Sequence, residues 1–465
     1  MRHLITLAIF IAISGCKTTA PITTTPPTSA TPHPWPIVHH DSARTGGSMD
    51  TPFQESPPAI PKTLKLPGQL RHFNAPVISS AGLICIGSIG TLEHEPDPED
   101  GVYCIDKKTL TIKYFTHTKS DAYHTTLGPD HLFVTDHHNT LTAINLDSMS
   151  VSWTHTFPST VTASPLPVDL HDASSPLLVA DHAGNLIAFD QRTGTPIWTS
   201  QLEGGVIQGL ASSPHIAIAA TTTGHVYALD TTHGHTLWET QLDYLPEQPA
   251  SHLEHTEPSP AHIKAAPVIA QDKVIIAYTR QHPQSTPPIL ALDISTGKLL
   301  WEASAHTNIY NHWQNQPNTP TLVEDRIIFV EQFSRLTAAI SLETGDMLFL
   351  SERPSCIQEQ RSSIVHAADI SYVPRHDGTL YAMTQTYGIS PWFTFPPEPS
   401  KDLKQTPYFS TFKDAYKDNT CLQNPPDYQG FITTPALTFD GDIVIGTHDG
   451  TIALYEHTAP QEVTD

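Results

Sequence analysis

The chain has 465 residues, enough for one large domain or for two or three ordinary ones. It carries 24 Lys and Arg against 47 Asp and Glu, and the resulting net charge of −23 makes nucleic acid and anionic lipid headgroups unfavourable partners. The 42 prolines exclude an all-helical protein, because proline in a helix interior removes a hydrogen bond and clashes with the preceding turn. Short clusters of Thr, Pro, His and Gly favour short strands joined by turns.

The first sixteen residues have the features of a secretory signal. A positive start at Met1-Arg2 precedes an apolar run of ten residues, Leu4–Ile13, which is too short to cross a hydrocarbon core about 30 Å thick. The following Ser-Gly-Cys16 resembles a bacterial lipobox, whose cysteine is lipidated and becomes the mature N-terminus. Residues 1–16 are therefore predicted to be a lipoprotein signal peptide with Cys16 retained. An ordinary signal cleaved after a small residue is the alternative.

Residues 17–61 are predicted to be a Thr- and Pro-rich tether followed by a lead-in, since the stretch from Thr18 to Pro34 has too little apolar area to fold. Asp directly after the lipidated cysteine would resemble the inner-membrane retention signal of enteric bacteria, and this chain has Lys17 there. We expect a protein anchored by lipid to the bacterial outer membrane, with its body, residues 62–465, in the periplasm.

One pattern recurs eight times in that body: an alternating strand ends in Asp or a substitute, a short turn follows, and an aromatic residue comes eight positions later. The strands are Val102–Asp106, Leu141–Asn145, Leu186–Asp190, Val226–Asp230, Ile289–Asp293, Thr337–Ser341, Leu380–Thr384 and Ile452–Glu456. The aromatic residues after the first seven are Tyr114, Trp153, Trp198, Trp238, Trp301, Phe349 and Trp392. We expect these rings to pack between adjacent units and each Asp to cap its own turn.

Two further strands precede each of these segments, which gives four strands per unit of roughly forty residues. The sequence therefore predicts an all-β protein, an eight-bladed β-propeller of four-stranded blades. The eighth unit ends near Glu456 without an outer strand, whereas the segment from Lys62 to Leu70 precedes the first unit. We predict that this N-terminal strand completes the last blade and closes the ring, which removes an exposed strand edge.

The repeats resemble those of the PQQ-like β-propeller family. Gly224–Asp230 with Gly234 and Trp238 has almost every element of the family's repeat, and Trp35–Asp41 is similar to the lead-in of many bacterial members. Lipidated eight-bladed members include the propeller subunit of the outer-membrane barrel assembly machinery, which this chain resembles in architecture.

The resemblance also implies an enzymatic alternative, a quinone-dependent dehydrogenase with PQQ, Ca²⁺ and a catalytic Asp in a funnel. Calcium needs six to eight oxygen ligands, yet the predicted innermost strands bring Ala, Pro, Ser and Thr and no carboxylate. The chain has no vicinal cysteine pair and no haem attachment motif. No cofactor is expected, and PQQ with Ca²⁺ belongs only to the alternative. A hydrolase that uses the loops is a second enzymatic possibility.

The 28 histidines raise the question of a metal site. Pairs such as His137-His138 could provide ligands, but related Asp-His sequences recur at the same hairpin in several units. A position repeated from blade to blade indicates turn chemistry, so no metal site is predicted.

Four cysteines remain after Cys16 and allow three pairings. Cys85 and Cys104 lie on strands expected to be antiparallel neighbours, in a register that sets Ser88 opposite Gly101. Cys356 and Cys421 flank the seventh unit and are the second candidate pair. Buried free thiols are the alternative to both disulfides.

Every long insertion is expected on one side of the disc, because outer-to-inner connections and those between the second and third strands emerge on the same face. Exposed aromatic residues are frequent in protein interfaces. The candidate partner-binding residues are Tyr244, Tyr310, His312, Trp313, Tyr408, Phe409, Phe412, Tyr416 and Tyr428. Loops that vary without a function are the alternative.

Together these features predict a non-enzymatic, monomeric scaffold that is lipid-anchored at the outer membrane. It would face the periplasm and bind a periplasmic or outer-membrane protein, in envelope or outer-membrane protein assembly. An enzyme that uses the long-loop side is the alternative function.

Overall fold

The computed structural model describes residues 35–48, 61–242, 263–278, 289–303, 318–330, 337–351, 362–368, 370–374, 379–384, 389–394 and 431–457. Every regular element within these ranges is a β-strand, and the strands form eight sheets. In this part of the chain no helix has the length and apolarity to cross a bilayer. The all-β, eight-bladed propeller predicted from the repeats is the observed fold.

Two short strands precede the blades, and the first four blades follow in chain order. The early strands are β1 (Gly47–Ser48) and β2 (Lys62–Lys65). Blade 1 contains β3 (Val77–Ile78), β4 (Leu83–Ile89), β5 (Asp100–Asp106) and β6 (Thr111–His117), and blade 2 contains β7 (Ala122–Leu127), β8 (His131–Asp136), β9 (Thr140–Asn145) and β10 (Val151–Thr156). Blade 3 contains β11 (Leu166–Pro167), β12 (Pro176–Ala180), β13 (Asn185–Asp190) and β14 (Pro196–Gln201), and blade 4 contains β15 (Ala211–Ser212), β16 (Ile216–Ala220), β17 (His225–Asp230) and β18 (Thr236–Gln241).

The remaining four blades have the same order. Blade 5 contains β19 (Val268–Ala270), β20 (Lys273–Ala277), β21 (Ile289–Asp293) and β22 (Leu299–Ala303), and blade 6 contains β23 (Thr321–Val323), β24 (Arg326–Val330), β25 (Thr337–Ser341) and β26 (Met347–Ser351). Blade 7 contains β27 (Val365–Ala367), β28 (Ile370–Pro374), β29 (Thr379–Thr384) and β30 (Ile389–Thr394), and blade 8 contains β31 (Ala436–Leu437), β32 (Ile443–Gly446) and β33 (Thr451–Tyr455).

The first three strands of a blade are largely buried, and the outer strands of blades 2, 3 and 4 are exposed except for half-buried residues at their third and fifth positions. In blade 4, β17 is buried over its first five residues, whereas β18 alternates from one residue to the next. Sequential antiparallel pairing joins the four strands, as in β15-β16-β17-β18. This burial explains why the third strand of each unit is apolar enough to be recognised in the sequence.

The N-terminal segment closes the ring as predicted. Strand β2 pairs antiparallel with β33, with Lys62 opposite Leu454 and Lys65 opposite Thr451, and so becomes the outer strand of blade 8. The strand is shorter than the predicted segment because the chain turns inward after Lys65. Leu66 and Leu70 are buried in the core shared by blades 7, 8 and 1.

Adjacent blades are joined by the repeated tryptophans. The indole N–H of Trp198 in blade 3 donates to the carbonyl of Thr231 in blade 4 (3.0 Å), directly after the turn-capping Asp230. Its ring lies against Gly234, where an added Cβ would come within 2.4 Å of a ring carbon. Equivalent bonds from blades 2, 4 and 5 are Trp153 to Gln191 O (3.0 Å), Trp238 to Ile294 O (2.7 Å) and Trp301 to Leu342 O (3.0 Å).

Each repeated Asp caps its own turn. Asp230 Oδ1 accepts hydrogen bonds from the backbone N–H groups of Thr232 (3.1 Å) and His233 (2.7 Å). The bond from His233, followed by weaker contributions, holds the pKa of the Asp230 carboxyl below its usual value. These aspartates therefore stabilise hairpins, as expected, and are not placed for acid catalysis.

A disulfide lies inside blade 1. Cys85 on β4 is directly opposite Cys104 on β5, with Ser88 opposite Gly101, which is the predicted register. The two cysteines are joined by a disulfide bond and both are fully buried. The second candidate pair, Cys356 and Cys421, lies outside the described residues.

Candidate functional site

The two faces of the propeller carry different connections. On one face the chain leaving an outer strand meets the turn between the second and third strands of the same blade. Leu202 N–H, for example, donates to Gly184 O and Leu242 N–H to Gly224 O, both at 2.8 Å. The connections between residues 242 and 263, 303 and 318, and 394 and 431 start and end on this side, which we call the long-loop face. The opposite side is the short-turn face.

The predicted partner-binding residues are not among the residues that the structure describes. This applies to Tyr244, Tyr310, His312, Trp313, Tyr408, Phe409, Phe412, Tyr416 and Tyr428, and also to Cys16. Their roles stay predictions, although the strands that flank these loops end on the long-loop face.

The described part of this face carries an aromatic–histidine patch, which consists of His72, Phe73, His94, Tyr123 and His137. The ring centroids of Phe73 and Tyr123 are 4.5 Å apart, and those of His94 and His137 are also 4.5 Å apart. The Tyr123 hydroxyl bonds to His137 Nδ1 at 2.5 Å and so links the two pairs. His72 and His94 are exposed, Phe73 and His137 are half-buried, and Tyr123 is buried beneath them.

A buried carboxylate, that of Asp121, contacts one residue of the patch, His94. Asp121 Oδ2 accepts a hydrogen bond from the backbone N–H of His94 (2.9 Å) and lies 3.5 Å from His94 Nδ1. Burial raises the pKa of Asp121, and burial also raises the pKa of Asp100, to about 6. Burial likewise raises the pKa of the Tyr123 phenol above its usual value, so the hydroxyl stays protonated and acts as a hydrogen-bond group rather than as a nucleophile.

An ion pair fixes the loop that carries His94. Arg71 Nε and Nη2 donate to the two carboxylate oxygens of Glu93 at 2.9 and 2.6 Å. The hydrogen bonds from Arg71 lower the pKa of Glu93. Bidentate pairing of this kind adds geometric specificity. The loop that carries His94 is therefore fixed by the Arg71–Glu93 pair and by the hydrogen bond of His94 to Asp121. The exposed rings of the patch can stack on a partner, and its imidazoles can exchange hydrogen bonds with one.

Only some residues of this patch could be predicted from the sequence. The long insertions were expected on one face, and the loop that carries His94 lies there; His137 was interpreted as turn chemistry. Phe73 was not singled out, because it follows the closing strand and carries no repeat pattern. Its contact with Tyr123 arises only when blades 1 and 2 are set side by side.

Residues 35–48 form a hairpin inside the ring of innermost strands, and we call this segment the lead-in hairpin. Its backbone carbonyls accept hydrogen bonds from innermost strands of blades 1, 2, 4, 5, 6 and 7 in turn. The pairs are Ile78 N to Trp35 O (2.8 Å), Leu127 N to Pro36 O (2.7 Å), Ser212 N to Ser42 O (2.7 Å), Ile269 N to Ala43 O (2.9 Å), Leu322 N to Thr45 O (2.8 Å) and His366 N to Gly46 O (3.0 Å). The end of the hairpin, β1, adds a fifth strand to blade 7, which the sequence did not predict.

The hairpin enters and leaves at the short-turn face. Each innermost strand runs from the long-loop face toward the short-turn face, because the connection that leads into it lies on the long-loop face. Trp35 pairs antiparallel with Ile78 in blade 1, so the chain at Trp35 moves away from the short-turn face. Strand β1 pairs parallel with β27, so the chain moves back toward that face at Ser48.

Arg44 is the centre of this arrangement. It is fully buried, and its guanidinium donates to Leu210 O (2.8 Å), Val38 O (2.9 Å) and Ser164 Oγ (3.2 Å). Burial lowers the pKa of Arg44 to about 9. In the described chain no carboxylate forms an ion pair with it; two carbonyl groups and a hydroxyl accept its hydrogen bonds, and the charge of Asp41 partly offsets the effect of burial.

Two neutral histidines flank the guanidinium. Burial, with the charge of Arg44 second, lowers the pKa of His39 to about 3 and that of His124 to about 3. Both imidazoles are therefore uncharged at neutral pH. Backbone strain accompanies the packing, since His39, His40 and Arg44 have φ angles of 66°, 73° and 63°.

The residues of this channel do not fit PQQ with Ca²⁺. The innermost strands that the structure describes contain no carboxylate, whereas Ca²⁺ requires several oxygen ligands, some of them charged. The buried cation, Arg44, already bonds to the protein itself. Among the described residues no group of three or more His, Cys, Asp or Glu is arranged to hold a metal.

A ring of eight four-stranded blades, closed by an N-terminal strand and joined by indole–carbonyl bonds, defines the class of PQQ-like β-propellers. The family model of the outer membrane protein assembly factor BamB matches residues 93–282 and 171–394, and the chain belongs to this family.

Solved structures show the same fold. BamB from Moraxella catarrhalis superposes with a TM-score of 0.57 at 13% identity, covering 85% of this chain and 98% of that one. The computationally designed Ika8 protein superposes with a TM-score of 0.53 at 13% identity, covering 84% of this chain and 100% of that one. At such identity the likeness concerns the fold alone.

Two curated enzymes are similar over part of their length. Polyvinylalcohol dehydrogenase from a Pseudomonas species is 24% identical over 242 residues, 44% of this chain and 37% of that protein. Tetrathionate hydrolase from Acidithiobacillus ferrooxidans is 23% identical over 276 residues, 57% of this chain and 49% of that protein. The chain therefore matches less than half the length of either enzyme.

Proposed function

We propose that this protein is a non-enzymatic, lipid-anchored scaffold of the bacterial outer membrane that faces the periplasm. Its long-loop face binds a periplasmic or outer-membrane protein, in the assembly of the envelope or of outer-membrane proteins. Membership of the BamB family supports the assembly role, and the lipobox-like sequence ending in Cys16 supports the anchor.

The observation that carries the proposal is the aromatic–histidine patch on the face from which the long insertions start. Aromatic residues, with a few energetic anchors at the centre, dominate the affinity of protein interfaces. The patch is supported by the Arg71–Glu93 ion pair and by the closed ring beneath it. Little conformational entropy is then lost when a partner binds.

Capture of outer-membrane proteins by the full-length protein tests the proposal. We expect Trp313→Ala, deletion of residues 408–416, and the double variant Phe73→Ala with His94→Ala each to reduce capture of the same partner tenfold or more. That loss corresponds to about 1.4 kcal/mol or more. Circular dichroism and thermal melting report whether each variant remains folded.

Matched substitutions on the short-turn face are the control. Lys108→Ala and His235→Ala remove exposed side chains there and should leave capture unchanged. If these variants lose capture while the long-loop variants retain it, the partner binds the short-turn face and our proposal is wrong.

An enzyme remains the second candidate, because part of the chain is similar to a dehydrogenase and to a hydrolase. The channel chemistry argues against PQQ, as described above. Incubation with PQQ, Ca²⁺, alcohols and a dye acceptor provides the direct test. Robust dye reduction that depends on PQQ would replace the scaffold proposal.

A further inference from the structure

The lead-in hairpin fixes the point at which the preceding chain joins the propeller. Trp35 is 2% exposed and Ile37 is fully buried, so the start of the hairpin is part of the core. The carbonyls of Trp35 and Pro36 are bonded to the innermost strands of blades 1 and 2. Because Trp35 pairs antiparallel with the innermost strand of blade 1, the chain enters the hairpin at Trp35 from the short-turn face.

The length of the preceding segment limits how the disc can face a membrane. Residues 17–34 are eighteen residues, which reach about 60 Å when fully extended. A flexible chain of that length spans only about 25 Å on average. Four strands at about 4.8 Å spacing plus the channel give a disc radius of roughly 25 Å, and strands of up to seven residues give a thickness of roughly 20 Å.

These dimensions favour one orientation. If the long-loop face lay on the membrane, the tether would have to run from the channel mouth to the rim and then across the disc, a path of roughly 45 Å. Such a path needs a nearly extended chain, which costs conformational entropy. With the short-turn face toward the membrane, no extension is needed.

We propose that the short-turn face is the membrane-facing surface of this protein and that the long-loop face is presented away from the bilayer. The inference rests on the proposed lipid anchor at Cys16. It places the aromatic–histidine patch where a soluble domain of a partner can approach it without contact with lipid.

Charge determines how close that face comes to the lipid. Acidic side chains outnumber basic ones in its described turns; examples are Asp130, Asp190, Asp230, Asp272, Asp293 and Asp440. Anionic headgroups repel such a surface within a Debye length of about 8 Å at physiological ionic strength. The short-turn face is therefore expected to stand off from the bilayer, at a distance set by the tether, rather than to lie on it.

Energy transfer to a labelled bilayer tests the orientation in the full-length acylated protein. A clickable amino acid at Ser80, in the turn between β3 and β4, carries a donor dye on the short-turn face. The same residue at His138, between β8 and β9, carries it on the long-loop face of the neighbouring blade. Phosphatidylcholine vesicles contain a rhodamine-labelled lipid as acceptor. We expect clearly stronger transfer from position 80, because the two positions differ in height by roughly 20 Å.

Equal transfer from the two positions, or stronger transfer from position 138, overturns the proposal. Vesicle flotation, done first, separates this failure from failure of the anchor, since the acylated protein must float and Cys16→Ser must stay in solution. If the acylated protein does not float, the lipid anchor and the orientation both fall. Insertion of twenty Gly and Ser residues after Ala30 should reduce the difference between the positions. An undiminished difference would show that the tether does not set the orientation.

Discussion

At the scale of single residues, the contact between a tryptophan and a glycine of the next blade accounts for much of the specificity of the ring. Gly234 has a φ of +73°, which a turn of this shape requires, and it also leaves room for the ring of Trp198. Gly82 has nearly the same φ, +76°, but an added Cβ would meet nothing within 4 Å. Comparing Gly82 with Gly234 therefore distinguishes the need for a positive φ angle from the need for space beside the tryptophan ring.

We predict that Gly82→Ala lowers the free energy of unfolding by about 1 kcal/mol, the cost of a left-handed conformation for an L residue. Gly234→Ala should cost about 2 kcal/mol more, because its Cβ overlaps a rigid ring that is tied to Thr231. Urea denaturation of both variants gives the two values. If both variants lose the same free energy of unfolding, blades 3 and 4 can move apart enough to accommodate the added methyl group without a loss of stability.

The buried histidines give the protein an acid-sensitive stability. Since the folded-state pKa of His124 is about 3 and that of an unfolded histidine about 6.5, the folded form binds fewer protons between these values. Stability from this group is full above pH 6.5 and is lost as the pH falls. We predict that His124→Gln removes roughly 2 kcal/mol of the loss between pH 7 and pH 4.5. An unchanged pH profile in His124→Gln would contradict the assignment.

At the scale of strands and turns, much of the fold could be predicted from the sequence. The third strand is buried apart from its last residue in blades 1, 2, 4, 5 and 6. The Asp, Gly and Trp of the repeat make local or nearest-neighbour contacts, so the same residue types recur from blade to blade. The register of Cys85 and Cys104 followed from the same alternation. The lead-in hairpin offered no such signal, because many of its contacts with the blades are made by backbone carbonyls, which no side-chain pattern encodes. Only its likeness to a family lead-in marked it.

The closing strand and the lead-in hairpin can be separated by truncation. A chain that starts at residue 49 lacks the hairpin but keeps β2, and we predict that it is soluble with a lower melting temperature. A chain that starts at residue 66 also lacks β2, which leaves β33 as an unpaired edge open to other chains. We expect this second chain to aggregate or dimerise in size-exclusion chromatography. A chain that starts at residue 34 is the control, and monodisperse behaviour of the residue-66 chain would mean that β2 does not protect the edge.

At the scale of the whole molecule, the lead-in hairpin connects blades that are distant from one another in the ring. A propeller otherwise depends on contacts between neighbouring blades, much as a linear repeat protein does. Here one segment bonds to innermost strands in six blades through its carbonyls and to a seventh through Arg44 and Ser164. Opening one blade therefore disturbs a segment that is shared by the others, and we expect the innermost strands to behave as one cooperative unit.

Hydrogen exchange of Arg44→Met tests this coupling. The substitution removes three hydrogen bonds and leaves the buried carbonyls of Leu210 and Val38 without this donor, at a cost on the order of 2–4 kcal/mol. We predict that the amides bonded to the hairpin, those of Ile78, Leu127, Ser212, Ile269, Leu322 and His366, then exchange roughly 30 to 1000 times faster, by a similar factor in all six blades.

Amides in the centre of a blade, such as those of β17, should keep their protection in that variant, because their partners are β16 and β18. Arg192→Met is the matched control: Arg192 is exposed on the short-turn face, where its Nε lies 3.1 Å from Asp130, and its loss should leave all six amides unchanged. Faster exchange confined to the amide of Ser212, in the blade whose Leu210 carbonyl accepts from Arg44, would show that the hairpin yields locally. In that case contacts between adjacent blades and the pairing of β2 would stabilise the ring, and the hairpin would occupy the channel without coupling the blades.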